Sequence, residues 1–180
     1  ATRYPVVGYD VKRERVAALM EGRDATQEVS DELLQSALRN GFICTTDIEA
    51  IRDCTIYIVA VPTPVDKNNN PDLTPLYGAS EIVGKVIGKG GIVVYESTVY
   101  PGVTEDECIP IIEKISGLKF NEDFFAGYSP ERINPGDKLH TVEKIKKVTS
   151  GSTPEIGKKV NEIYASVILS LIHISEPTRL

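Results

Sequence analysis

Four short segments carry side chains that could bind a nucleotide or transfer a proton, and each follows a run of apolar residues. They are GYD ending at Asp10, VPTP at 61–64, EST at 96–98 and SPERINPG at 129–136. An acidic residue at a strand end can accept hydrogen bonds from ribose hydroxyls, and a carboxylate can polarise water. Because parallel strands end at one edge of a sheet, we expect the four segments to share one ligand crevice.

Asp10 has two possible roles. It ends an apolar strand at 4–10 and precedes a helix start with Lys12, Arg13 and Arg15. In a dinucleotide-binding βαβ unit, such a residue holds the ribose about 20 residues after a glycine-rich turn. Strand-terminal aspartates are also common helix caps, so spacing alone leaves both roles open. No glycine-rich turn precedes this strand, and we expect the first strand and its loop to lie upstream of the given sequence.

The other three segments also have structural interpretations. VPTP could be a stiff connector, and ESTVYPG could be a capped turn into the next helix. Glu131 could form a surface ion pair with Arg132 or a lysine. Their placement at the ends of neighbouring strands favours a shared site over three separate structural roles.

Composition limits the classes of partner. The chain has 180 residues, is 41% hydrophobic and has a formal net charge of -6, which fits one packed domain with a small-molecule partner. Acidic and basic residues are interspersed along the chain, which argues against binding to nucleic acid or to a membrane surface. The sequence shows no membrane-spanning or targeting segment, so we expect a cytoplasmic protein. Three cysteines without CxxC pairing and two isolated histidines predict neither disulfides nor a metal site.

Strand-like and helix-like runs alternate, which predicts an α/β fold with a parallel sheet covered by helices. TIYIVAVP is expected at the sheet centre, buried on both faces. The predicted strands are YPVVGYD, FICTT, TIYIVAVP, GIVVYEST, DFFAGYSPER and IKKVTSG.

Helix starts are expected at capping residues. Ser30, Thr74 and Thr153 each precede a helical pattern, the last two with proline following directly. Thr104 and Glu107, three residues apart, predict a capping box for the helix TEDECIPIIEKIS.

The end of the chain breaks this pattern. LSLIHISEPTRL follows the last helix without a cap and contains Pro177, so we expect it to add no element to the sheet. The sequence therefore predicts one domain over 1–168 and a tail of non-native appearance at 169–180.

Three motifs give a specific resemblance. YIVAVPTPVDKNNNPDLTPL, IVVYESTVYPGVTE and GYSPERINPGDK resemble the amino-terminal half of the UDP-glucose/GDP-mannose dehydrogenase family, from about Tyr4 to Ile168. They are most similar to its UDP-N-acetylhexosamine 6-dehydrogenases, which act on UDP-N-acetylglucosamine or UDP-N-acetylgalactosamine. The resemblance implies a Rossmann-like doubly wound parallel sheet, truncated at its N-terminus, that binds NAD.

The resemblance also implies an activity. Family members oxidise the C6 alcohol of a nucleotide sugar to a carboxylate with two NAD, through a cysteine thiohemiacetal and thioester, in surface polysaccharide biosynthesis. The partner would be a UDP-sugar, and the full-length protein would form a homodimer. The catalytic lysine, asparagine and cysteine would lie beyond Ile168, and Cys108 does not match the nucleophile. We therefore expect a fragment that is inactive alone.

On the cofactor side, the resemblance assigns Asp10 to the adenosine ribose, with Arg15 beside it. Ser97 and Thr98 would sit near the nicotinamide. The backbone of one further segment would line the cofactor groove: Val61, Pro62, Thr63 and Pro64.

On the substrate side, the resemblance implies that Thr98 positions a catalytic water and that Glu131 transfers protons during thioester hydrolysis. Arg132 and Asn134 would contact the substrate. Two alternatives stay open: another two-domain NAD-dependent dehydrogenase, of the hydroxyacyl-CoA or 6-phosphogluconate type, or a non-catalytic nucleotide-binding module. The second would keep Asp10 without needing Glu131.

Overall fold

The computed structural model describes residues 3–130, 146–168 and 170–173. The chain divides into two compact units, Ala1–Asp53 and Cys54–Leu180. Both units combine helices with strands, and the sheets are mostly parallel, which confirms the predicted α/β class.

The first unit is small and contains a two-stranded parallel sheet in which Gly8 lies opposite Cys44. The Ser30 hydroxyl accepts a hydrogen bond from the Leu33 amide, so the predicted cap is confirmed. The elements are β1 (Val7–Tyr9), α1 (Arg13–Met20), α2 (Asp31–Arg39), β2 (Ile43–Thr45) and a 3-10 helix (Ile48–Ile51).

The second unit contains a five-stranded sheet in the order β3-β4-β5-β6-β7. All neighbouring strands are parallel except β5 and β6, which are antiparallel. The elements are β3 (Ile56–Val59), α3 (Thr74–Val86), β4 (Ile92–Tyr95), a π-helix (Val103–Cys108), α4 (Ile109–Ser116), β5 (Phe125–Tyr128), β6 (Lys146–Gly151), α5 (Pro154–Ala165) and β7 (Ser170–His173).

Strand β4 is buried along its whole length because helices cover both of its faces. On one face, Ile92 and Val94 pack against Val160 of α5. Successive side chains of a strand point to opposite faces, and the Tyr95 hydroxyl lies 2.7 Å from the Ser80 hydroxyl of α3. The Thr153 side chain caps α5 as predicted, since it accepts a hydrogen bond from the Ile156 amide.

The prediction that the TIYIVAVP strand is buried on both faces is wrong. Ile58 is 51% exposed, whereas Tyr57 and Val59 are buried. Within the described residues β3 pairs with β4 alone, so it forms the edge of its sheet. An apolar run in the sequence indicates a hydrophobic strand but not whether that strand pairs with other strands on one side or on both.

Two predicted helix caps are also wrong. Helix α3 begins at Thr74 itself, whose amide donates to the Asp72 carboxylate at 2.9 Å. Thr104 lies inside the π-helix that starts after Gly102, a residue with φ 98°. The predicted capping box therefore does not form, because the left-handed glycine starts the helix before Thr104.

The chain's last segment does contribute to the sheet, contrary to expectation. Strand β7 pairs in parallel with β6, with Ser170 opposite Lys146. Pro177 lies outside the described residues. That residues 169–180 are of non-native origin stays a prediction.

None of the helices in the described part of the chain has the length and apolar character that a membrane-spanning segment needs.

Candidate functional site

The carboxyl ends of β3 and β4 are joined by two side-chain hydrogen bonds. The Ser97 hydroxyl donates to the Val61 carbonyl at 2.6 Å, and the Thr63 hydroxyl donates to the Thr98 carbonyl at 3.0 Å. These bonds fix the segment after β4, residues 96–98, against the segment after β3. We call residues 96–98 the β4 turn.

Exposure divides the side chains of this edge into two kinds. Ser97 is buried and its hydroxyl is used by the backbone, whereas Thr98 is exposed. Pro62 and Pro64 are exposed as well, and Val61 and Thr63 are half-buried. Thr98 can therefore meet a ligand, while Ser97 holds the turn that presents it.

A buried charged cluster lies beside the β4 turn, and sequence reasoning missed it. The Lys147 ammonium lies 2.8 Å from Glu96 Oε1, and the Tyr164 hydroxyl donates to the same oxygen at 2.6 Å. The ammonium also lies 5.3 Å from the centroid of the Tyr164 ring, within the range of a cation–π contact. We call these three residues the Glu96 cluster. Its only sequence signal is a charged residue at the end of a buried strand.

A second carboxylate, Glu107 of the π-helix, lies between two phenols. It accepts hydrogen bonds from the Tyr77 hydroxyl and from the Tyr100 hydroxyl, the latter at 2.9 Å. The hydrogen bond to Glu107 raises the pKa of Tyr77 to about 12, so that phenol stays a donor. The sequence assigned Glu107 to a helix cap because its tertiary partners are distant in the chain.

Asp10, in the first unit, does not cap helix α1. The N-cap of α1 is Lys12 and has no side-chain cap. Asp10 Oδ1 instead accepts a hydrogen bond from the Lys12 amide at 2.8 Å, before the helix begins, and the ribose role of Asp10 stays a prediction. Its Oδ2 lies 3.5 Å from Arg15 Nε, and the side chain is 31% exposed. A cavity of about 520 Å³ has Arg15 in its lining but not Asp10. Its charged lining residues are of both signs: Lys12, Arg13, Arg15, Arg23, Glu14 and Asp24.

Cys108 is fully buried on the π-helix. Burial raises the pKa of its thiol to about 11, so the reactive thiolate is suppressed at neutral pH. Among the described residues, no group of three His, Cys, Asp or Glu side chains could hold a metal ion.

The structure thus brings Thr63, Ser97 and Thr98 together at one sheet edge. Asp10 belongs to the first unit, Ala1–Asp53. Three predicted residues, Glu131, Arg132 and Asn134, lie outside the described residues, and their roles stay predictions.

Comparison with known proteins adds the biochemical context. The model of the UDP-glucose/GDP-mannose dehydrogenase family, NAD binding domain, matches residues 1–168. The chain is 56% identical over 168 residues to a UDP-N-acetyl-D-glucosamine 6-dehydrogenase of Pseudomonas aeruginosa, covering 93% of this chain and 39% of that protein. It is 53% identical over 163 residues to the Salmonella typhi protein of the same name, covering 91% and 38%.

A solved structure agrees with this fold. The UDP-D-ManNAc dehydrogenase of Pyrococcus horikoshii superposes with a TM-score of 0.87 at 27% identity, covering 97% of this chain and 42% of that one. The chain thus spans about two fifths of the length of these relatives.

Proposed function

This chain belongs to the UDP-glucose/GDP-mannose dehydrogenase family, and from that premise we propose that it is the NAD-binding domain of an NAD-dependent UDP-sugar 6-dehydrogenase. The complete enzyme would oxidise the C6 alcohol of a UDP-N-acetylhexosamine to the carboxylate with two NAD. The observation that carries this proposal is the 56% identity to the Pseudomonas aeruginosa protein over 168 residues.

The donors and acceptors of the chain fit NAD. NAD, when bound, accepts a hydride from the C6 carbon of the sugar. Asp10 presents a partly exposed carboxylate that would accept hydrogen bonds from the ribose hydroxyls. The half-exposed segment Val61–Pro64 would line the groove, and Thr98 would hold a water near the reacting carbon. Ser97 would act through the turn it holds rather than by direct contact.

Asp10 also supports a preference for NAD over NADP. A carboxylate at this position accepts a bond from the 2'-hydroxyl and repels a 2'-phosphate. Arg15, which could otherwise receive that phosphate, lies 3.5 Å from the same carboxylate. The pair therefore lowers the attraction that a free arginine would have for a phosphate.

The substrate-side roles are proposals from the family resemblance. Glu131 would transfer protons during thioester hydrolysis, and Arg132 and Asn134 would contact the UDP-sugar. We further propose that the complete enzyme is a cytoplasmic homodimer acting in surface polysaccharide biosynthesis.

The test is NADH formation by the complete enzyme that carries this domain. UDP-N-acetylglucosamine, UDP-N-acetylgalactosamine and UDP-glucose would each be supplied with NAD, and separately with NADP, while absorbance at the NADH band is followed. We expect activity with a UDP-N-acetylhexosamine and NAD. Binding of NAD without NADH from any UDP-sugar would favour a non-catalytic nucleotide-binding module.

An Asp10→Asn variant tests the cofactor site within the same assay. It keeps the side-chain volume but replaces the carboxylate that would accept hydrogen bonds from the ribose hydroxyls. KM for NAD should therefore rise, while KM for the UDP-sugar should stay unchanged. Asp53→Asn, at an exposed position, is the matched control.

A further inference from the structure

The β4 turn is held from two sides. On the β3 side, the Glu96 amide donates to the Val59 carbonyl at 2.8 Å, next to the hydroxyl bonds of Ser97 and Thr63. On the other side, the Glu96 carboxylate is held by Lys147 of β6 and Tyr164 of α5. The exposed Thr98 side chain follows two residues later.

The charges of this cluster are costly to bury. The Lys147 side chain is 2% exposed and that of Glu96 is 17% exposed. Desolvation of such a pair often exceeds the Coulombic gain, and apolar replacements of similar volume can be equally stable. What a charge-assisted hydrogen bond adds is a defined geometry, since the ammonium and the phenol both point at Glu96 Oε1.

We propose that Lys147 is a positioning residue that acts through Glu96 to fix the β4 turn and so to aim Thr98 at the reacting carbon. This inference rests on the proposed function, in which Thr98 holds the catalytic water. Lys147 is too deeply buried to touch substrate itself. Tyr164 supports both partners, through its hydroxyl to Glu96 and its ring to the ammonium.

The kinetic test compares substitutions of Lys147 in the complete enzyme. Small displacements of positioned groups can cost up to about 100-fold in rate, so Lys147→Met should lower kcat at least tenfold. KM for NAD and for the UDP-sugar should change less than twofold, because the cofactor and substrate contacts remain. Lys147→Arg, which keeps the charge, should recover most of kcat. Lys158→Met, the same replacement at an exposed position of α5, is the matched control.

Coupling between the partners gives a second kinetic readout. Residues that act as one unit are not additive. The double variant Glu96→Gln with Lys147→Met should therefore lose no more kcat than the worse of the two single variants. Multiplicative losses would show that the two residues act independently and would overturn the proposal.

Amide hydrogen exchange tests the positioning without relying on activity. In Lys147→Met, the amide of Glu96, which donates to the Val59 carbonyl, should exchange at least tenfold faster than in the unsubstituted enzyme, and in Lys158→Met it should not. Unchanged exchange together with unchanged kcat overturns the inference. An unsubstituted enzyme that folds but makes no NADH counts against the proposed function, while the exchange data still decide the role of Lys147.

If Lys147→Met does not fold, Tyr164→Phe takes its place in both measurements. It keeps the ring and both charges and removes one hydrogen bond to Glu96. Faster exchange of the Glu96 amide supports the inference, and wild-type exchange there overturns it.

Discussion

At the scale of single residues, the neighbours Ser97 and Thr98 differ in role: Ser97 is buried and stabilises the β4 turn, whereas Thr98 is exposed. We expect Ser97→Ala to lower the free energy of unfolding by about 1 kcal/mol, because a buried hydrogen bond to Val61 is lost. Thr98→Ala should leave stability within about 0.5 kcal/mol, since the side chain is exposed, but should lower kcat. Urea denaturation and steady-state kinetics of the complete enzyme would measure both. Equal stability losses for the two variants would contradict this division.

The cysteines provide a second residue-scale prediction. Burial raises the pKa of the Cys108 thiol to about 11 and also raises that of Cys44. Both should react slowly with iodoacetamide at neutral pH, whereas half-buried Cys54 should react first. Peptide mass spectrometry of the native protein would give the order, with urea-unfolded protein as the control. Rapid labelling of Cys108 would mean that the π-helix opens.

Two of the four predicted helix caps were correct, whereas side-chain contacts between distant parts of the chain could not be predicted from the sequence. Ser30 and Thr153 could be predicted as caps because their partners lie three residues away. Glu107 and Lys147 could not be assigned correctly, since their partners come from other elements and only the fold brings them together.

At the scale of elements, two glycines of α3 are expected to respond oppositely to alanine. A Cβ at Gly84 would lie 3.0 Å from Ile115 Cβ and 3.3 Å from Ile112 Cα, both in α4. Gly84→Ala should therefore destabilise by about 1–3 kcal/mol through overpacking. A Cβ at Gly78 meets nothing within 4 Å, so Gly78→Ala should stabilise by about 0.5–1 kcal/mol through helix propensity.

Thermal or urea unfolding of the two variants would test the pair. The same substitution on the same helix controls for propensity, so the difference reports the packing of α3 against α4. A stabilising Gly84→Ala would show that the two helices separate without cost.

Most strands were predictable from apolar runs, but the direction of β6 and the π-helix were not. Hydrophobicity is the same whichever way a strand runs, so the apolar pattern does not distinguish the antiparallel pairing of Gly127 with Gly151 from a parallel one. The π-helix depends on a left-handed backbone at Gly102. A glycine permits this conformation but also permits others, so the sequence alone does not predict it.

At the scale of the whole molecule, the two units should differ in stability. Among the described residues of Ala1–Asp53, the buried apolar side chains are Leu34, Cys44 and Ile51. Units of about 50 residues bury little surface and are marginal. Amides of β1 and β2 should therefore exchange before those of β4 and β5, and a lower-melting transition should precede the main one. A single cooperative transition with equal protection would contradict this prediction.

The antiparallel direction of β6 affects which part of the chain can change in sequence among relatives. Because β6 runs against β5, the chain leaves Tyr128 and re-enters at Lys146 on one edge of the sheet, beside the β4 turn. A loop whose two ends lie at the same edge of a sheet can change in length or sequence without a change in the order or direction of the strands. Exchanging residues 129–145, which include the predicted substrate contacts, between relatives should therefore leave the pairing of β5 with β6 unchanged. We expect such an exchange to transfer sugar preference without altering the cofactor side of the domain.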